Sequence, residues 1–224
     1  ETGDIAYDSS GNDNNGTIYG ATRVAGKFSK ALNFDGDDYV DITHNDLLIS
    51  RPLSIALWIK RAELSNLQEV LISASKGSDA IYYLSIWEGS DNQLFFWREE
   101  EDGTDFSIYS TSGITDTNWH HIVAVDDGTN FNIYIDGDLD NSEDKSAYSQ
   151  TPDAITSAYI SNWEEGAGSP HRFNGIIDEV YILSHALSNE EIKDLYNNYG
   201  YTTENYPGKV LVRKYAEIEP QIIV

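Results

Sequence analysis

The segment 173–192 constrains the fold of this chain more than any other stretch. Its first part, up to Leu183, alternates like a strand, but both faces are mainly apolar, which predicts an inner strand of a sheet. Each face carries one acid, and burying a carboxylate without a partner is costly, so we expect both acids to have a structural or functional role. The predicted faces are Ile176, Asp178, Val180 and Ile182 on one side, and Ile177, Glu179, Tyr181 and Leu183 on the other.

A helix start follows this strand. Ser188 and Glu191 have the spacing of a capping box, in which the serine caps the helix and the glutamate reaches back to it. Gly200 is a natural C-terminal stop. Between these points, apolar residues recur at helical spacing and predict one buried face: Ile192, Leu195, Tyr196 and Tyr199.

The rest of the chain is made of short apolar runs separated by Gly, Asn, Asp and Ser. This pattern is typical of an all-β domain, and 224 residues suffice for one such domain with a core. The run 53–61 alternates as a half-buried strand, and Asp136-Gly137 is a strong hairpin turn signal. There are no cysteines, so disulfides do not contribute.

The net charge of −24, from 38 acids and 14 bases, argues against a nucleic-acid partner, which needs a basic surface. It is compatible with a soluble surface protein, a cation-rich medium or bound calcium. Solubility accounts for most of these acids.

Three consecutive predicted strands, 81–87, 93–98 and 106–111, are rich in aromatic residues. If Tyr82, Leu84, Ile86, Leu94, Phe96 and Ile108 face the core, the opposite face carries Tyr83, Trp87, Phe95, Trp97 and Tyr109. An exposed aromatic stripe of this kind would be a platform for sugar rings, with Trp163 at its rim. Two alternatives remain open at this point: the faces are reversed, or a loop covers them.

The closing segment, F-N-G-I-I-D-E-V-Y-I-L-S-H-A-L-S-N-E-E-I-K-D-L-Y, resembles the end of LamG-like, concanavalin A-like jelly-roll domains. Further stretches resemble the same domains in the expected order: 8–16, 31–40, 53–60, 119–123 and 133–137. The resemblance extends from Asp4 to Tyr199. It implies an all-β, two-sheet antiparallel jelly-roll sandwich with a short C-terminal helix, over residues 1–200.

The loop 8–16 is rich in oxygen donors, which are the ligands that Ca²⁺ prefers. In LamG-like domains this loop lies beside the strand whose aspartate corresponds to Asp178. The resemblance therefore implies a calcium site formed by Asp8, Asn12, Asn14, Gly16 and Asp178. The alternative is a loop anchored only by hydrogen bonds, because Asx-rich loops are usually turns.

The consecutive acids Glu99-Glu100-Glu101-Asp102 are candidates for a catalytic carboxylate pair. Glycoside hydrolysis needs two carboxylates at a fixed separation, and laminarinase-like relatives of the fold carry the pattern E-x-D-x-x-E on one strand face. Here the acids are consecutive and run into Gly103, so we expect a solvated hairpin tip. His120 and His121 alternate on a predicted strand and are expected to be structural rather than zinc ligands.

These features together predict a non-catalytic, calcium-stabilised binding module for carbohydrate or another surface ligand. The resemblance implies an extracellular or cell-surface location in a prokaryotic surface protein. A structural or assembly subunit is the main alternative, and a glycoside hydrolase is a weaker one. Residues 201–224 are expected to form a linker and an extended strand-like tail, at a junction to a following module or neighbouring subunit.

Overall fold

The computed structural model describes residues 3–42, 51–76, 79–87, 89, 91–100, 103–146, 155–163 and 171–197. In these residues the chain forms fifteen strands and one helix. The strands are β1 Ile5–Ala6, β2 Gly16–Tyr19, β3 Thr22–Ala25, β4 Lys30–Asp35, β5 Tyr39–Ile42, β6 Leu53–Arg61, β7 Glu69–Lys76, β8 Asp79–Ile86, β9 Gln93–Glu99, β10 Asp105–Gly113, β11 Trp119–Asp126, β12 Asn130–Ile135, β13 Asp138–Asp144, β14 Ser157–Ile160 and β15 Asn174–Leu183. The helix is α1 Asn189–Tyr196. The predicted tail 201–224, together with Tyr199 and Gly200, lies outside the described residues.

The strands form two antiparallel sheets. The eight-stranded sheet has the order β1-β2-β5-β14-β7-β8-β9-β10, and the seven-stranded sheet has the order β13-β12-β11-β6-β15-β4-β3. Sequential strands often change sheet, as β4 and β5 do across the turn 36–38. This is the jelly-roll sandwich with a short C-terminal helix that the sequence predicts.

The main core lies between the two sheets. Alternate residues of each strand point into it, because successive side chains of a strand lie on opposite faces. Large side chains such as Phe34, Leu57, Phe96 and Phe131 are at most 1% exposed there. The predicted inward face of the aromatic strands is confirmed, since all six predicted residues belong to this core: Tyr82, Leu84, Ile86, Leu94, Phe96 and Ile108.

A bulge in β15 makes the predicted faces of that strand wrong. Asp178 pairs with Trp58 and Tyr181 with Ala56, so β15 has one extra residue here. Glu179 takes the positive φ angle of 49° at this point. An extra residue exchanges the two faces of the remaining strand. Ile177 therefore shares the main core with Val180 and Ile182, not with Tyr181 and Leu183.

Strand β6 is buried on both faces rather than half-buried. All its residues except Lys60 are buried, because α1 covers the outer face of the seven-stranded sheet. A second small core forms between them, from Ala56, Val123, Val125, Tyr134, Leu187, Ile192 and Leu195. The predicted capping box is present: Glu191 N–H donates to Ser188 Oγ at 3.3 Å, and Ser188 N–H donates to Glu191 Oε2 at 2.8 Å.

Side chains join the edge strands of the two sheets on both sides of the sandwich. On one side, Arg23 of β3 donates from Nη2 to the Ile5 carbonyl of β1 at 2.7 Å. On the other, the Asp140 carboxylate of β13 accepts from the backbone amides of Thr111 and Ser112 in β10. We call these contacts the Arg23 seam and the Asp140 seam.

The expectation of a solvated tip at residues 99–102 is wrong for Glu100. Glu100 is 2% exposed and pairs with Arg51. Arg51 Nε also lies 3.0 Å from Asp126 Oδ2, while Lys145 Nζ lies 2.6 Å from Asp126 Oδ1. Arg98 Nη1 completes this buried ionic cluster at 3.3 Å from Asp126, and burial, aided by Arg51, lowers the pKa of Arg98 to about 10. Residues 101 and 102 lie outside the described part of the chain.

Candidate functional site

The outer face of the eight-stranded sheet carries a cluster of aromatic rings. The register of β8, β9 and β10 places these rings on neighbouring strands, with Tyr83 opposite Trp97 and Phe95 opposite Tyr109. We call Tyr83, Trp87, Phe95, Trp97, Tyr109 and Trp163 the aromatic cluster. The structure thus brings together all five residues that the sequence predicts for ligand binding: Tyr83, Trp87, Trp97, Tyr109 and Trp163.

Two rings form the base of the aromatic cluster. Tyr83 is 6% exposed and Phe95 is 5% exposed, and their ring centroids lie 5.5 Å apart. The centroid of the Phe95 ring lies 4.6 Å from that of Trp87 and 4.5 Å from that of Tyr109. Because Tyr83 and Phe95 are covered by the other rings, they support the surface rather than form it.

The remaining rings form the accessible part of the cluster. Trp97 stacks on Tyr83 with ring centroids 5.3 Å apart and an interplanar angle of 29°. Trp163 also packs on Tyr83, with ring centroids 4.6 Å apart. Trp87, Trp97 and Trp163 are half-buried, and Tyr109 is 38% exposed. These four rings offer apolar area to a ligand while their packing limits the side-chain entropy that binding would cost.

Polar groups hold this surface in place. Trp97 Nε1–H donates to Asp105 Oδ2 at 2.7 Å, and Gln68 Nε2–H donates to Ser85 Oγ at 3.1 Å. Ser73 Oγ–H donates to the Asn162 carbonyl at 2.6 Å, which fixes the segment that leads to Trp163. Burial raises the pKa of Tyr83 to about 12 and also raises the pKa of Tyr109, so both hydroxyls stay protonated near neutral pH.

The outer face of the seven-stranded sheet is closed. Trp58 is 3% exposed beneath Tyr196 of α1, with ring centroids 5.5 Å apart and an interplanar angle of 13°. Lys27 Nζ lies 4.3 Å from the centroid of the same Trp58 ring, and His121 packs beside it at 5.1 Å. The half-exposed aromatic cluster therefore lies on the sheet that does not carry the helix.

The loop 8–16 is organised by its own hydrogen bonds. The Asp8 carboxylate accepts from Ser10 N–H at 2.8 Å and from Asn14 N–H at 3.0 Å. Partial burial raises the pKa of Asp8, but these hydrogen bonds outweigh it and hold the pKa below its usual value. Asn14 Oδ1 is buried and has no hydrogen-bond partner among the described residues. An orphaned amide oxygen is the kind of ligand that a hard cation such as Ca²⁺ takes, and the backbone N–H of the same residue binds the Asp8 carboxylate.

Asp178 has other partners in the described structure. Its Oδ2 accepts from Phe28 N–H at 3.0 Å, and its Oδ1 accepts from Glu179 N–H at 3.0 Å. A Cβ at Gly26 would overlap the Asp178 carboxylate, so this glycine allows the β3–β4 turn to close over it. Within the described ranges, no hydrogen bond joins Asp178 to the loop 8–16, and no group of three acids, histidines or cysteines is arranged for a metal. The five-residue calcium site stays a prediction.

A family model described as the concanavalin A-like lectin/glucanases superfamily matches residues 34–193, which is more than half of the chain. The chain belongs to this superfamily. A comparison with curated protein sequences finds no match. No helix among the described residues has the length and apolar character needed to cross a bilayer.

Solved structures with the superfamily fold include several binding domains. The binding domain of Paraclostridial Mosquitocidal Protein 1 has a TM-score of 0.69 at 18% identity, covering 87% of this chain and 51% of that one. Domain 4 of AbnA, an extracellular arabinanase from Geobacillus stearothermophilus in complex with arabinotriose, has a TM-score of 0.63 at 22% identity, covering 81% and 87%. The binding domain of botulinum neurotoxin DC in complex with SialylT has a TM-score of 0.62 at 20% identity, covering 84% and 47%.

At these identities the likeness concerns the fold. The chain spans about half the length of the two toxin chains and most of the arabinanase domain. The similar structures are binding domains of toxins and a domain that holds an oligosaccharide, although the superfamily description also includes glucanases.

Sequence reasoning left two residues of this aromatic surface, Phe95 and Asp105, out of its predicted ligand-binding set. Phe95 is the ring that joins Trp87 to Tyr109, and Asp105 holds the Trp97 indole. Period-two counting along β10 could have found Asp105, because it shares a face with Ser107 and Tyr109. The central position of Phe95 depends on strand register, which single-strand periodicity does not give.

Proposed function

We propose that this domain is a non-catalytic, calcium-stabilised binding module of the extracellular space or cell surface, and that its ligand is carbohydrate. The observation that carries the proposal is the set of half-exposed rings, Trp87, Trp97, Tyr109 and Trp163, fixed over two buried rings on the sheet that lacks the helix. Aromatic rings held this way can stack on the apolar faces of sugar rings with little loss of side-chain freedom.

The comparisons support the same conclusion. The superfamily includes lectins, and one similar domain was solved with arabinotriose. The acidic surface suits exposure to a cation-rich medium. For calcium, the support is the orphaned Oδ1 of Asn14, a residue whose backbone N–H binds the Asp8 carboxylate. If calcium binds there, Asp8 and Asn14 would supply oxygen ligands and the ion would rigidify the loop.

The absence of catalysis is supported by the environment of Glu100. This carboxylate pairs with Arg51 inside the ionic cluster and is not placed to donate a proton to a sugar. Glycosidases require two carboxylates facing each other across the scissile bond. We expect no release of products from oligosaccharides of arabinan, laminarin, cellulose, xylan or agar, and product release that Glu99→Gln abolishes would overturn this part of the proposal.

The proposal is tested by calorimetry against the same neutral oligosaccharides, arabinotriose included. Trp87→Ala, Trp97→Ala and Tyr109→Ala should each weaken binding by about tenfold or more, because each removes stacking area. Tyr7→Ala is the matched control, since Tyr7 is 60% exposed and lies outside the aromatic cluster. Failure of the wild-type protein to bind any neutral member of the panel at millimolar concentration would contradict the carbohydrate proposal.

A further inference from the structure

One carboxylate fixes the Trp97 ring at the edge of the aromatic cluster. Trp97 lies on β9, and Asp105 begins β10. The register pairs Asp105 with Glu99, so Asp105 is a diagonal neighbour of Trp97 on the same outer face. The 2.7 Å hydrogen bond from Trp97 Nε1 to Asp105 Oδ2 sets the orientation in which the indole stacks on Tyr83.

The same carboxylate has capacity for a ligand. Asp105 is exposed, and an ionised carboxylate has about four acceptor positions on its two oxygens. Only Oδ2 is engaged by the indole; Oδ1 makes no hydrogen bond to the described residues. A sugar ring stacked on Trp97 would carry its hydroxyl groups at the ring's rim, where a neighbouring carboxylate can accept from them. Charge-assisted hydrogen bonds of this kind are the strong ones.

Charge around this carboxylate limits which sugars fit. Glu99 and Asp105 are directly opposite each other on one face, an arrangement of like charges that costs stability. An anionic sugar placed over Trp97 would bring a further negative charge to this pair, on a chain whose net charge is −24. A neutral sugar carries no such penalty.

We infer that Asp105 positions Trp97 and selects a neutral, hydroxyl-bearing sugar unit over an anionic unit such as a uronic acid. This inference rests on the proposed function. It adds a specificity-determining residue to the aromatic cluster and distinguishes neutral chains from acidic ones as ligands.

The positioning role is tested without a ligand, by NMR of the five tryptophan indole N–H signals. Trp97→Phe identifies the Trp97 signal by removing it. Asp105→Ala should shift that signal strongly, whereas Asp105→Asn should shift it less, because an amide oxygen can still accept from the indole. Glu143→Gln, an exposed acid on the other sheet, is the control and should leave the signal in place. An unchanged Trp97 signal in Asp105→Ala would overturn the positioning role.

The selectivity role is tested with a neutral oligosaccharide that binds in the panel and its uronic acid counterpart. Wild-type protein should bind the neutral member at least about tenfold more tightly, and Asp105→Ala should weaken neutral binding by about tenfold or more. Asp105→Asn should bring the two affinities within about threefold, while Glu143→Gln should preserve the wild-type ratio. A ratio unchanged in Asp105→Asn would overturn the selectivity while leaving the proposed function intact. If no carbohydrate binds the wild-type protein, the proposed function fails, and the indole experiment still decides the positioning role.

Discussion

At the scale of single residues, two adjacent histidines have opposite environments. His120 lies between two acids, with Nδ1 2.9 Å from Asp136 Oδ2 and Nε2 3.1 Å from Asp116 Oδ1. The hydrogen bond to Asp136, followed by the one to Asp116, raises the pKa of His120. His121 is 1% exposed beside Trp58 and Tyr196, and burial lowers its pKa to about 4. The pKa values of these two neighbours therefore shift in opposite directions, because period two places their side chains in different surroundings.

This contrast predicts how stability depends on pH. Because the pKa of His120 is higher in the folded chain, its contribution is complete below the ordinary histidine value of about 6.5 and is lost as pH rises through the folded value. The free energy of unfolding, measured with urea between pH 6 and 9, should fall over that window. In His120→Gln this decline should be smaller. His121→Gln should keep the decline, and an identical decline in wild type and His120→Gln would contradict the assignment.

At the scale of elements, α1 closes the outer face of the seven-stranded sheet and depends on its cap. Ser188→Ala removes the acceptor of Glu191 N–H and should lower the free energy of unfolding by about 1 kcal/mol. Ser184→Ala is the control, because Ser184 is exposed and precedes the cap. Equal urea midpoints for the two variants would show that the capping box contributes nothing to stability.

The loop 8–16 provides the test of the proposed calcium site. At a hundredfold excess over its dissociation constant, a ligand stabilises by about 2.7 kcal/mol, which corresponds to roughly 5–10 °C in the melting temperature of a chain this long. Calcium should produce such a rise in the wild type and not in Asn14→Ala. Asp13→Asn, which changes an acid of the same loop outside the predicted ligand set, should retain it. Coincident wild-type melting curves in EDTA and millimolar calcium would rule the site out.

Elements also show what the sequence could and could not predict. The aromatic cluster could be predicted because β8 and β9 keep period two over their aromatic residues. Once one residue of a strand is assigned to the core, the face of every other residue in that strand follows. The faces of β15 could not be predicted in the same way, because the bulge at Glu179 moves the residues that follow it to the opposite face of the sheet. The burial of Glu100 could not be predicted because its partner, Arg51, is distant in sequence. The same holds for Asp178, whose carboxylate accepts a hydrogen bond from the distant Phe28 N–H. Contacts between residues so far apart in the chain depend on the tertiary structure and cannot be deduced from local sequence patterns.

At the scale of the whole molecule, the Arg23 and Asp140 seams hold the two sheets together at their edges. They also engage backbone groups of β1 and β10 that an added strand would otherwise pair with. This limits where a neighbouring chain could extend either sheet.

Asp140→Ala should open one of these seams. It removes an acceptor shared by two backbone amides, so the free energy of unfolding should fall by about 1–2 kcal/mol, and light scattering should increase on heating. Asp138→Ala is the matched control on the same strand, since Asp138 is 85% exposed and its only described ion pair is the 3.8 Å contact with Lys193. Unaltered stability and scattering in Asp140→Ala would show that the seam is not needed.

The strand order also has a consequence for synthesis. β14 lies between β5 and β7, and β15 lies between β4 and β6, so both sheets receive an inner strand from the last part of the described chain. While the ribosome is still translating residues before 157, the facing edges of β4, β5, β6 and β7 have no partner, and neither sheet is continuous. Pairings between such distant segments form slowly, and open edges favour aggregation. Neither sheet can therefore become continuous until β14 and β15 have been synthesised, so we expect the earlier strands to reach their final pairing late.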